Sequence, residues 1–218
     1  MGDHSTRWTW VTNRWIGALF AIGSICFAVG PVPAYTSSVG AVADAATFFV
    51  GSLFFTTAAA LQFVQAVNVP ASAAGLPARP EWVQAGSLVW WATAVQLLGT
   101  VFFNVSTFRA LDQATGAAVA ATVVWRPDVY GSVCFLAASV AALIPVDHRP
   151  GRDRRIAAVN LVGSVAFGFS AIGAYTLETG TLLNTNLANG GTFVGALCFL
   201  LGGLALVLPP PAATRGAR

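Results

Sequence analysis

The sequence predicts an all-α integral membrane protein, a six-helix bundle built from three repeated two-helix hairpins, and three observations carry that prediction. Charge is scarce: only 9% of the 218 residues are Asp, Glu, Lys or Arg, while 56% are hydrophobic. Soluble domains are about 25% charged, and a water-soluble fold of this size could not cover its surface with so few charges. The apolar residues gather in six long runs, and each run carries one copy of the same five-residue motif.

The runs fall at roughly 15–34, 45–67, 82–108, 129–146, 156–177 and 190–208. Each is close to the ~20 residues an α-helix needs to cross the hydrocarbon core. Each is apolar all round, not alternating, so a helix that satisfies its own backbone suits it and a barrel strand does not. The segments between runs are short and rich in Pro, Gly, Ser, Thr or Asn, and Pro209, Pro210 and Pro211 follow the last run. The chain therefore reads as a single transmembrane domain, 1–218. Arg7 and Arg14 before the first run resemble the start of a secretory leader. That run carries the internal motif, however, so we expect it to be retained.

All 11 basic residues are Arg. Arg7, Arg14, Arg79, Arg149, Arg152, Arg154, Arg155, Arg215 and Arg218 fall on one side of a six-span layout, and Arg109 and Arg126 on the other. The positive-inside rule then puts both termini in the cytoplasm and the protein in the plasma (inner) membrane. A net charge of +3 distributed this way sets topology and does not point to nucleic acid. Arg149, Arg152, Arg154 and Arg155 stand together beside the predicted cytoplasmic face, where they would meet anionic lipid heads.

The motif is Gly, a small residue, two variable residues and Phe. Its copies pair Gly23 with Phe27, Gly51 with Phe55, Gly99 with Phe103, Gly131 with Phe135, Gly163 with Phe167, and Gly195 with Phe199. The last four glycines are spaced by 32 residues, the mark of an internal repeat. Residues four apart share a helical face. The glycine there admits a neighbouring backbone and the phenyl ring fills the space beside it, a packing rule suited to membrane helices. Alternate copies share more: Gln96 and Asn160 each lie three before their glycine, and Ser106 and Ser170 each lie seven after it. The repeating unit is thus a two-helix hairpin. These paired Gly-Ser-x-x-Phe hairpins resemble the YrhK-like domain of bacterial multi-pass membrane proteins. The resemblance implies a bundle of membrane hairpins and transfers no activity, cofactor or site residue.

Chemistry is thin. We expect no catalytic residue, no cofactor and no metal site. Cys26, Cys134 and Cys198 all lie in apolar runs at the same motif position, where a small hydrophobe packs. His4 and His148 lie outside the runs. Asp44, Asp128 and Glu178 fall at run ends. The candidate intramembrane polar contacts are Gln96, Asn160 and Asn104, expected to bond between helices or to line a small polar cavity. Trp90 and Trp91 lie deeper than the other tryptophans, and we expect them to pack in the bundle. The functional expectation is a non-enzymatic multi-pass membrane protein that is structural or contacts lipid or a protein partner. The alternative is a small transporter or channel for a neutral or weakly polar solute.

Overall fold

A computed structural model describes residues 3–73, 82–146 and 151–208, with side chains described from residue 11 and, in the first stretch, up to 68. Every regular element among them is helical: α1 (Asp3–Val29), a short α2 (Pro33–Val39), α3 (Ala41–Ala73), α4 (Leu88–Ala114), α5 (Ala121–Leu143), α6 (Arg152–Gly173) and α7 (Thr185–Val207), with a 3-10 turn over Ile144–Val146. Six of these, all but α2, are long and apolar enough to cross a membrane.

Each long helix extends beyond its apolar run at one end or both, because backbone hydrogen bonding continues until a cap or a break stops it. α1 ends at Val29, since Pro31 and Pro33 cannot continue it; Pro33 instead opens α2, where its missing N–H costs nothing. Gly40, at φ 82°, makes the corner into α3. α4 starts at Leu88, not 82, because the Ser87 side chain accepts from the Trp90 backbone N–H and caps it. The largest departure is α5, which begins at Ala121 and not 129, so Arg126, Pro127 and Asp128 lie inside a helix. α6 and α7 each start four or five residues before the predicted run. The connection 174–184 turns back on itself through a Thr176–Leu182 bridge, with Gly180 at φ 79° at its tip and Asn184 capping α7.

The six long helices form a closed ring. Each packs on its neighbours in chain order, and α1 closes the ring on α7. The sorting of residue types is the reverse of a soluble fold. The core is mostly Phe, Ala, Ser, Thr and Gly, with Ile16 and Val67, whereas Ile22, Val101, Val133, Val162, Leu201 and many other branched aliphatics are exposed. An apolar exterior of this extent is far more than a soluble monomer presents, and small residues inside are what close helix approach in lipid requires.

Candidate functional site

The motif explains the ring. In all six copies the glycine, the residue after it and the phenylalanine are buried, the third residue is exposed and the fourth is half-buried. Helical geometry gives this pattern when one face of each helix points at a common axis.

Within three helix pairs, α1/α3, α4/α5 and α6/α7, the glycines pack reciprocally. A methyl on Gly99 would lie 2.8 Å from the Phe135 ring, and one on Gly131 would lie 3.1 Å from both the Gly99 carbonyl oxygen and the Phe103 ring. Gly23 and Gly51 repeat this arrangement, as do Gly163 and Gly195. Cys26, Cys134 and Cys198 each place Cβ against the glycine of the paired helix, a packing role. Two of the pairs share a further bond: Ser106 donates to the Val124 carbonyl at 2.8 Å, and Ser170 to the Ala188 carbonyl at 2.7 Å.

The six rings meet on the axis. Phe27, Phe103 and Phe167 contact one another with centroids 5.9–6.4 Å apart. Phe55, Phe135 and Phe199 do the same at 5.4–6.3 Å. The two triads are joined within each helix pair, by Phe27–Phe55 at 5.5 Å, Phe103–Phe135 at 5.1 Å and Phe167–Phe199 at 5.6 Å. Most of these pairs are edge-on or tilted, the arrangement the ring quadrupole favours. The centre of the ring is therefore an aromatic plug.

The polar residues behave differently from one another. Asn104 donates to Thr56 Oγ1 at 2.9 Å, an α4–α3 contact of the kind expected, although its own Oδ1 is buried without a partner. Gln96 and Asn160 are not joined to each other or bonded across helices. Asn160 Oδ1 is buried with no hydrogen-bond partner and lies over Gly202, where a methyl would come within 2.5 Å of it. Further bonds between the helix pairs join a motif hydroxyl to one that the motif does not include: Ser52 with Thr107 at 3.0 Å, and Ser164 with Ser139 at 2.7 Å. Thr107 and Ser139 both lie eight residues after a motif glycine, a shared offset that marks them in the sequence. Gln65 reaches Asn13 at 2.9 Å, from α3 to α1.

Trp90 packs, half-buried, against Phe63 of α3, whereas Trp91 does not pack in the bundle as expected. Their indoles donate to the Trp82 and Ala85 carbonyls of the segment leading into α4, and Trp91 is exposed. Trp125 donates to the Ala171 carbonyl across the α5/α6 contact.

Two cavities lie outside the plug. One, about 610 Å³, is lined by Gly30, Pro31, Thr36, Asp44, Phe48 and Asn189 among others, where α1, α2, α3 and α7 meet. Thr36 donates there to Asp44 Oδ2 at 3.1 Å. The other, about 470 Å³, is a groove between α6 and α7 with Arg152 and Arg155 at its rim. Arg154 is also described; Arg149 and His148 lie outside the described residues, as do Arg79, Arg215 and Arg218 and the side chains of His4 and Arg7.

Together, the ring and its plug define the class: an all-helical bundle with six helices fit to cross a bilayer, as a multi-pass membrane protein requires. No known protein family, curated protein or solved structure matches the chain.

Proposed function

We propose that this chain is a non-enzymatic multi-pass protein of the plasma (inner) membrane, with both termini cytoplasmic, that acts as a packed body contacting lipid or a protein partner and not as a conduit. The observation that carries this reading is the aromatic plug, because six rings fill the axis where a solute path through such a ring would run. The orientation rests on the nine-to-two division of Arg. Reporter fusions within 115–120 and 174–184 should both report the outer side.

We further read the bundle as three copies of one hairpin. The common burial of the six motifs and the reciprocal glycine contacts support that reading. Kinship with YrhK-like hairpins rests on the Gly-Ser-x-x-Phe motif alone and brings no activity with it.

A second reading, a transporter or channel for a neutral or weakly polar solute, draws on the polar cavity at the end of α1 and α3, which would then be a vestibule above a phenyl gate. Thiol labelling separates the two. In a chain with Cys26, Cys134 and Cys198 replaced by Ala, Gln96→Cys and Asn160→Cys should resist an impermeant reagent from either side. Labelling of either one would move the choice to the transporter.

A further inference from the structure

The geometry points to the α6/α7 groove as a binding site for one anionic phospholipid, with its phosphate at Arg152 and Arg155 and an acyl chain lying between the two helices. This inference rests on the membrane reading above and narrows its lipid contact to one place.

Three features argue for it. First, the trough is apolar along its length, with Ile156 and Val159 on α6 facing Leu201 and Ala205 on α7. From Arg152 to Val159 it descends about 10 Å along the helix, into the depth of acyl chains. Its floor is Gly202, whose lack of a side chain makes the hollow. Asn160 Oδ1 lies buried against that floor.

Second, the charge lies at one end only. Arg152 donates to the Leu208 carbonyl at 2.6 Å through one nitrogen, which holds its guanidinium at the mouth of the groove with no other bond among the described residues. Arg155, one turn further on, is exposed and has no partner among the described residues. Asp153 is the acidic neighbour on α6 among the described residues, at an exposed position of the same turn. A planar guanidinium matches a phosphate oxygen pair in a way an ammonium does not.

Third, charge and trough are in line. A cation pair at the interface above a chain-shaped hollow complements a molecule with an anionic head and an apolar tail. It does not complement free phosphate, which would leave the trough empty.

Native mass spectrometry of the full chain tests the site, using matched-chain phosphatidylglycerol and phosphatidylcholine in equal amounts. The wild type should retain phosphatidylglycerol preferentially. Arg152→Gln with Arg155→Gln should cut that retention roughly 10- to 30-fold, at about 1 kcal/mol per Arg near an anionic surface, and leave phosphatidylcholine unchanged. Arg155→Gln alone, which disturbs no bond, should give a smaller loss in the same direction. Ala205→Phe, which fills the trough, should lower retention of both lipids, and Arg109→Gln at the opposite end should do nothing. Undiminished phosphatidylglycerol on the double variant would overturn the site. Release of the wild-type chain by alkaline carbonate would instead remove the membrane reading beneath it.

Discussion

Contacts within the three helix pairs and contacts between them follow different rules. Within α1/α3, α4/α5 and α6/α7 the same parts recur: two glycines facing each other and two phenyl rings in contact. Between pairs, each junction has its own solution. α3/α4 uses Ser52–Thr107 and Asn104–Thr56, α5/α6 uses Ser139–Ser164 and Trp125, and α7/α1 uses Gly203 against Gly17. Lipid offers no hydrophobic reward for helix association, so each interface must gain from close packing or from hydrogen bonds. The pairs share one packing scheme, to which Ser106, Ser170 and Gln65 add interhelical bonds. Two of the junctions add polar bonds, and the third brings backbones together.

The largest effect should come from the shared centre. Phe135 is 1% exposed and contacts Phe55, Phe103, Phe167 and Phe199. Phe135→Ala should therefore destabilise by about 3 kcal/mol, from the cavity left in both triads. Reversible unfolding in mixed detergent micelles measures it. If the loss is no greater than for an exposed residue such as Val133, the plug is not what holds the ring.

Substituting the glycines compares a pair with a junction. Gly99→Ala places a methyl 2.8 Å from the Phe135 ring and 2.9 Å from Cys134 Cβ, whereas Gly17→Ala places one closer still, 2.5 Å from the Gly203 carbonyl oxygen, which cannot yield without moving a helix. Overpacking costs roughly 1–3 kcal/mol, and Gly17→Ala should lie at the upper end and Gly99→Ala at the lower. The reverse order would mean that the α7/α1 junction yields more readily than the interior of a pair.

This division also decides what was legible in the sequence. The six spans and the motif could be read because one constraint is repeated six times, and its burial pattern followed. Helix ends could not. Arg126, Pro127 and Asp128 look like a loop, yet α5 runs through them, since a helix end near the interface tolerates charge and a missing N–H. Thr107 and Ser139 share an offset but not a residue type, so they stand outside the motif. Gln96 and Asn160 were matched by position, and position alone did not make them partners. Arg152 and Arg155 could be identified as a basic edge. The groove below them could not, because it depends on which way Gly202 and Ala205 face.

A hydroxyl pair between helix pairs should matter less than a glycine. Removing Ser139 and Ser164 singly and together should give a coupling of about 0.6 kcal/mol, and no more than ~1.7. A coupling of zero would leave the α5/α6 contact to packing and to the bonds of Trp125 and Ser132.

The smallest effect should have the opposite sign. Ser24 occupies the motif position that on α3, α5 and α6 faces the adjoining pair. Ser52, Ser132 and Ser164 there all find acceptors or hydroxyls on another helix. For α1 the adjoining helix is α7, which has no hydroxyl after Thr192 and turns Gly203 toward α1. Ser24 Oγ is accordingly fully buried with no partner. An orphaned polar group adds desolvation cost without return, so Ser24→Ala should raise stability by a few tenths to about 1 kcal/mol, while Ser52→Ala lowers it. If both substitutions destabilise equally, the Ser24 hydroxyl has found a bond after all, and the α7/α1 junction is not the purely close-packed one.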